Sequence, residues 1–399
     1  MRVVILADEY MPSGTRAHAK MLHELAIEFK KNGHQPIVIT PGKPNQKSLL
    51  IKDKFEEIEI WFFKSGATRG KGLIIRLINE WLLTYRAKKA IKNENNNFDL
   101  CINYSPTIFF GPLANFFKKK GAYVFLILRD MFPQWIIDKG IIREKSIPYI
   151  FLKYYENLNY KTSNCIGVQS EGNLELFKSL YPNYQNVITL MNWTSISGSK
   201  EGGLNSHLLE ELNIQDKLIF FYGGNIGKAQ DIKNIIRLVK KMKSHKNVHF
   251  LIIGQGDEYE FILNSKIKYS LYNLTIRPSV KQDEYEKILH SVHVGLISLA
   301  FEHSAHNFPG KILGYMRSSL PILGSVNPGN DLLNIINDSN AGIVHINGED
   351  NKLLESAKLF AEKSELRNAY GENSYSLMTE KFSVSSAVET ILKKMFDEI

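Results

Sequence analysis

The feature that most limits what this chain can become is an alternation. Short apolar runs, each closed by a polar or glycine-bearing loop, take turns with stretches of helical spacing. Residues 3–7 read as a buried strand. Met21, Leu22, Leu25, Ala26 and Phe29 then place one apolar face on a helix over 19–30, and Gly33 sits where that helix should stop. Residues 36–40 are apolar and β-branched and read as the next strand. A strand, a helix and a strand on short loops predict a parallel sheet with helices on its faces. The unit recurs as strands at 99–104 and 123–128 around a helix at 108–119, with further strands at 164–169 and 187–190.

Residues 195–203 break the pattern: they are rich in Ser and Gly and carry no hydrophobic period, which marks a linker. The alternation then restarts, with strands at 218–222, 248–253, 274–277, 294–299 and 321–324. Helices are expected at 232–242, 282–291 and 311–318, and an amphipathic one at 387–399. The expected fold is α/β, with two Rossmann-like, doubly wound domains facing a cleft. We read 1–192 as the first domain, 193–214 as the linker, 215–375 as the second domain, and 376–399 as a helix crossing back to the first. Ligands of such sheets bind beyond the carboxyl ends of the strands.

Composition removes other classes. Hydrophobic residues at 44% and charged residues at 23% exclude a disordered chain, a collagen-like fibre and a coiled-coil rod. Two cysteines, Cys101 and Cys165, exclude a disulfide scaffold. The formal charge of +9 favours anionic partners. The first residues lack the flanks of a signal peptide, and no apolar run approaches membrane-spanning length. A cytoplasmic protein is therefore expected, with attachment to a membrane surface open to it. Between Lys64 and Lys92 stand eight basic residues and one acid, Glu80, with Leu73, Leu77, Trp81 and Tyr85 at helical spacing. A basic amphipathic helix of this kind suits an anionic membrane surface, and equally a helix packed on its own domain. No nucleic-acid-binding module is visible.

Four loops could carry chemistry. The first contains Ser13, Gly14, Thr15 and Arg16 between the first strand and helix. The second runs Gly223-Gly224-Asn225-Ile226-Gly227-Lys228-Ala229-Gln230-Asp231, and its glycines after a strand suit backbone wrapped round a phosphate. It is neither a Walker loop nor the dinucleotide fingerprint. Gly254 follows the next strand. In the third, His306-Asn307-Phe308-Pro309-Gly310-Lys311, a lysine opens a helix, where a cation is unfavourable unless an anion lies between. Asn330 and Asp331 open a later helix and offer further N–H donors. In the fourth, a buried strand delivers Arg129 and Asp130 to its carboxyl end. Each loop also admits a structural reading as turn, ion pair or solvated lysine. His303 with His306, and His290 with His293, lack the Cys or carboxylate partners of a metal site, so none is expected.

Together these stretches resemble family-4 glycosyltransferases of GT-B architecture, and among them the WbuB-type transferases of O-antigen and capsule assembly. The resemblance rests on residues 7–13, 104–112, 128–135, 223–231 and 307–311 and spans nearly the whole chain. It implies a retaining, metal-independent transferase with no cofactor, moving a sugar, N-acetyl-L-fucosamine, from a UDP-sugar. The acceptor it implies is a saccharide on undecaprenyl diphosphate, with the protein peripheral on the inner face of the bacterial inner membrane. Donor-binding residues would be Gly223, Gly224, Asn225, Gly227, Lys228, Gln230, Gly254, His306, Asn307, Phe308, Gly310, Asn330 and Asp331. Acceptor-binding residues would be Ser13, Gly14, Thr15, Arg16, Tyr104 and Ser105. Catalysis would fall to Asp130, Arg129 and Lys311.

The chain departs from the family pattern at several points. The usual pair of glutamates falls at His306 and Gly314, the usual Arg and Lys of the diphosphate loop at Asn225 and Gln230, and a customary His at Arg129. Lys228 or Lys311 must then supply the cation. A UDP-sugar 2-epimerase and a non-catalytic UDP-sugar-binding scaffold remain as rivals on the same fold.

Overall fold

The computed structural model describes residues 1–14, 17–66, 73–105, 107–134, 137, 142–196, 207–302 and 308–398. The chain divides into two units, Met1–Ser195 with Val384–Ile399, and Ile196–Ser383.

In chain order, the first unit contains β1 (Arg2–Leu6), α1 (Ala17–Lys31), β2 (Gln35–Pro41), β3 (Leu50–Phe55), β4 (Ile58–Phe63), α2 (Leu73–Trp81) and α3 (Leu83–Ala90). After these come β5 (Leu100–Tyr104), α4 (Gly111–Lys118), β6 (Tyr123–Leu128), α5 (Ile147–Thr162), β7 (Cys165–Val168), α6 (Glu171–Leu180) and β8 (Val187–Thr189). The sheet order is β3-β4-β2-β1-β5-β6-β7-β8. Every pairing is parallel except β3 with β4. Apart from Arg2 at the start of β1, the strands β1, β5 and β6 are buried throughout, as apolar runs in a sheet covered on both faces should be. The order reverses between β1 and β5, so the switch point lies where Asp8, Tyr104 and Arg129 emerge.

The β3–β4 hairpin was not expected. Its outer strand reads Leu-Ile-Lys-Asp-Lys-Phe, and those charges protect a sheet edge while hiding the strand from a hydrophobic pattern. The helix expected at 108–119 begins as a 3₁₀ turn, Ile108–Phe110, before α4. The single basic helix expected across 64–92 is two helices, α2 and α3, separated at Leu82.

The second unit contains α7 (His207–Glu211), β9 (Leu218–Asn225), α8 (Ile232–Lys241), β10 (Val248–Gln255), α9 (Tyr259–Lys268), β11 (Leu274–Arg277), α10 (Gln282–Ser291) and β12 (Val294–Ser298). It continues with α11 (Lys311–Arg317), β13 (Ile322–Val326), α12 (Leu332–Asp338), β14 (Gly342–Ile346), α13 (Asp350–Glu362) and α14 (Ser364–Lys381). Its parallel sheet has the order β11-β10-β9-β12-β13-β14. Numbered within the unit, that is 3-2-1-4-5-6, the doubly wound order with a crevice between β9 and β12.

The chain returns to the first unit as α15 (Val384–Phe396), whose Val388 and Ile391 join the core with Leu22 and Phe29 of α1. Trp193, read above as the start of the linker, is anchored in that core. It is 1% exposed and its indole donates to the Met21 carbonyl at 2.8 Å. The low-hydrophobicity signal after it is real, but one large aromatic holds the chain past that point.

Candidate functional site

The clearest site belongs to the second unit. At the switch point of its sheet a cavity of about 440 Å³ opens among the ends of β9, β10 and β12 and the start of α11. Gly223, Gly224, Asn225, Gln230, Gly310 and Lys311 all line it. That volume lies within the usual range for small-molecule sites.

The glycines have distinct reasons. Gly224 holds φ at +112°, a conformation that side chains rarely adopt. At Gly223 a Cβ would come within 2.5 Å of the Tyr285 hydroxyl. The Gly223 N–H donates to the Tyr315 hydroxyl at 3.0 Å, and that hydroxyl donates onward to the Leu296 carbonyl at 3.3 Å. The turn beyond is closed by Gln230, whose Oε1 accepts from Asn225 Nδ2 at 2.9 Å and from the Gly227 N–H at 3.1 Å. The two positions where the family carries cations thus form a neutral amide clasp.

Lys311 supplies the charge. Its Nζ is buried with no hydrogen-bond partner among the described residues and sits 3.3 Å from the centre of the Tyr222 ring. Burial lowers its pKa well below the ordinary lysine value. An unpaired buried ammonium is costly, and an anion in the cavity would supply the missing partner. Ser279, Val280, Gln282 and Tyr285 complete the wall, and nothing in the hydrophobic period singled them out.

Other expected donor residues stand elsewhere. Lys228 lines a second cavity of about 660 Å³ with Asp231, Lys233 and Arg237. That leaves Lys311 as the cation of the first, among the described residues. A Cβ on Gly254 would lie 1.9 Å from the Gly224 carbonyl, so this glycine serves close strand packing. The Phe308 ring is 4.7 Å from that of Phe382. Asn330 is buried: it bonds Asn327 at 2.9 Å and accepts from the Leu332 N–H at 3.0 Å, which spends it on its own turn. Neither it nor Asp331 lines the cavity. His306, Asn307, Thr15 and Arg16 lie outside the described residues. Among the described residues, no three His, Cys, Asp or Glu side chains converge as a metal site would require.

The first unit holds a second polar cluster at its own switch point. Arg129 Nη1 donates to the Leu190 carbonyl at 3.0 Å, and the guanidinium lies 4.9 Å over the Trp193 ring. The Tyr104 hydroxyl interacts with the guanidinium, whose Nε and Nη2 are buried, and burial pulls its pKa down to about 10. Tyr104 is buried beside it, and burial pushes its phenol up to about 12. Ser105 is buried, and its hydroxyl has no hydrogen-bond partner among the described residues. Asp130 is exposed, yet desolvation by its surroundings raises its carboxyl above the usual value while Arg129 opposes the shift. Ser13 is exposed, and Gly14 packs so tightly that a Cβ would meet Ala19 at 2.7 Å.

Two residues of this cluster escaped the sequence reading. His18 Nε2 lies 3.4 Å from Asp8 Oδ1, and its ring stacks on Tyr104 at 5.4 Å. The available signal was position alone: Asp8 stands two residues past the end of β1 and His18 in the first turn of α1. The cluster thus brings a buried cation, an acid and an imidazole together at the carboxyl ends of the first unit's strands.

Comparisons with known proteins agree with this layout. "Probable glycosyltransferase WbjE" of Pseudomonas aeruginosa is 23% identical over 221 residues, 54% of this chain and 54% of that relative. The match therefore spans about half the length of that protein. Among solved structures, WaaG, a glycosyltransferase involved in lipopolysaccharide biosynthesis, superposes with a TM-score of 0.65 at 13% identity, covering 98% of this chain and 99% of that one. Anabaena Alr3699/HepE in complex with UDP-glucose gives 0.68 at 12% identity over 100% of both chains. These likenesses establish the fold as GT-B, two Rossmann-like units in one chain. Residues 207–377 match the family model for "Glycosyl transferases group 1", and that span contains the whole lining of the cavity beside Lys311.

Proposed function

We propose that this protein is a retaining glycosyltransferase that moves a sugar from a UDP-sugar to a lipid-linked saccharide. The supporting observation is Lys311: a buried, unpartnered ammonium beside a glycine turn at the switch point of a doubly wound sheet. Such a group suits the diphosphate of a nucleotide sugar. The family match over 207–377 and the UDP-glucose bound by HepE agree with that choice of donor. From the WbuB-type resemblance we propose N-acetyl-L-fucosamine as the sugar and an undecaprenyl-diphosphate-linked saccharide as the acceptor. On the same resemblance we propose that the reaction belongs to O-antigen or capsule assembly, on the inner face of the inner membrane.

In the reaction the bond from the anomeric carbon to the β-phosphate oxygen breaks, and UDP leaves with the electron pair. The acceptor hydroxyl forms the new bond on the same face and gives up its proton. Negative charge grows on the β-phosphate as the bond breaks, so Lys311 stabilises the transition state more than the ground state. On this reading the protein needs no metal ion. Asp130 orients or deprotonates the acceptor hydroxyl, and its raised pKa makes it the better base. Arg129 meets the acceptor's diphosphate or the leaving group.

The test is transfer from a panel of UDP-sugars to lipid-linked acceptors, with and without EDTA. Lys311→Ala should lower turnover at least tenfold, equivalent to about 1.4 kcal/mol. Wild-type turnover in that variant would remove Lys311 from the mechanism. A new epimer formed without acceptor would point instead to a 2-epimerase.

A further inference from the structure

A buried ammonium is ordinarily paired with a carboxylate or fully hydrogen-bonded. Lys311 is neither. No hydrogen bond reaches its Nζ among the described residues, and no neighbouring carboxylate offsets the burial that lowers its pKa. What the ammonium meets instead is the face of a ring, with the Tyr222 centroid 3.3 Å away. That is well inside the range of about 6 Å over which a ring attracts a cation, and the attraction is strongest where water is excluded.

The ring is firmly held. Tyr222 lies on β9, is 0% exposed, and packs in the second unit's core with Phe220, Ile226 and Phe250. Its hydroxyl donates to the Asn225 carbonyl at 2.7 Å, which ties it to the glycine turn. The stem of Lys311 crosses the same turn: a Cβ on Gly224 would lie 3.7 Å from Lys311 Cε. Tyr222 does not itself line the cavity, whereas Lys311 does, so the ring stands behind the ammonium as seen from the cavity. Burial raises the Tyr222 phenol, so it does not pair with the lysine as a phenolate. Desolvation also raises the phenols of Tyr285 on α10 and Tyr315 on α11, so these neighbours add no anion.

The choice of partner has a chemical consequence. A carboxylate at this place would neutralise the ammonium and compete with an incoming anion. A ring attracts through its quadrupole and carries no net charge, so it orients the cation and leaves its charge for a ligand. We propose that Tyr222 is a positioning residue of the donor site: its ring seats the Lys311 ammonium behind the diphosphate, and its hydroxyl ties that seat to the glycine turn. The inference rests on the reading of a UDP-sugar donor and adds to it a residue that touches no substrate.

The test is a UDP titration of five proteins, each below its own melting temperature: wild type, Tyr222→Phe, Tyr222→Leu, Lys311→Met, and Tyr222→Leu with Lys311→Met. Tyr222→Leu should raise the Kd at least about fivefold. Tyr222→Phe keeps the ring and should bind at least about threefold more tightly than Tyr222→Leu. In the Lys311→Met background, Tyr222→Leu should change the Kd by less than about twofold, because its effect runs through the ammonium. A residue that only fills the core would carry its full penalty into that background, and this result would overturn the proposal. A second measurement needs no Tyr222 variant to fold. In lysine-labelled wild-type protein, NMR should show one ε-methylene signal shifted upfield by the ring, missing from Lys311→Met and still upfield with UDP bound. A signal that loses its upfield shift when UDP binds would overturn the proposal as well, since the lysine would then leave the ring. Failure of the wild type to bind UDP would sink the donor reading and this inference together; UDP binding with either contrary result sinks the inference alone.

Discussion

Replacing Lys311 with methionine separates the cost of the free site from its use. In the free protein Lys311 has an unpaired ammonium whose only described partner is the Tyr222 ring at 3.3 Å. Removing a buried unsatisfied charged donor should return about 1–3 kcal/mol. Losing a desolvated cation–π contact should cost about 2 kcal/mol. The two nearly cancel, so the melting temperature of Lys311→Met should stay within about 4 °C of wild type. Binding behaves differently. Truncating one partner of a buried charge pair costs about 2–5 kcal/mol, so the Kd for UDP should rise at least about 30-fold.

The pH dependence gives a second reading of the same group. Burial lowers the Lys311 pKa in the free protein, so the unfolded chain holds that proton more tightly. Stability of the free protein should therefore rise with pH between the lowered value and the ordinary value of about 10.4. Pairing with a bound diphosphate favours the protonated form and raises the pKa again. UDP affinity should then fall through the same window, by up to about tenfold per pH unit. Calorimetry in buffers of different ionisation enthalpy should count protons taken up by the wild type and none at this site in Lys311→Met. Equal UDP affinity in the two proteins, with the same proton count, would refute the reasoning.

Further outcomes are expected elsewhere in the two units. Tyr315→Phe should leave the Gly223 N–H and the Leu296 carbonyl without their shared hydroxyl, costing about 1–3 kcal/mol in denaturant melts. Gly224→Ala should strain the turn held at φ +112°, lowering stability by about 1–3 kcal/mol and weakening UDP binding in the same titration. Arg129→Met should raise the KM for the lipid-linked acceptor while leaving the Kd for UDP unchanged, because the guanidinium belongs to the first unit's cluster. His18→Ala should lower kcat without changing UDP affinity if the imidazole beside Asp8 faces the acceptor; unchanged kcat would leave it a packing partner of Tyr104.

The sequence pattern located most of the parallel sheets because buried central strands such as 3–7, 123–128 and 248–253 are continuous apolar runs. It also picked out Gly223, Gly224 and Lys311, since glycines after a strand and a cation at a helix start violate ordinary propensity. What it could not locate depends on contacts between distant segments. The β3 strand hides its place behind charges. Tyr285 enters the cavity from α10, and Tyr222 becomes the partner of Lys311 only through the pairing of β9 within the sheet. The Asp8–His18 pair is formed by the turn of chain after β1, which periodicity does not register. Asn330 and Asp331 fit a phosphate-binding helix start by composition, but Asn330 is consumed in its own turn and neither reaches the cavity.

A crystal soaked with UDP tests the central claim most directly. The account predicts the diphosphate within hydrogen-bonding distance of Lys311 Nζ and beside Gly224, with no metal density bridging its phosphates. A diphosphate settled in the cavity beside Lys228 and Arg237, or a metal ion bridging its two phosphates, would contradict it.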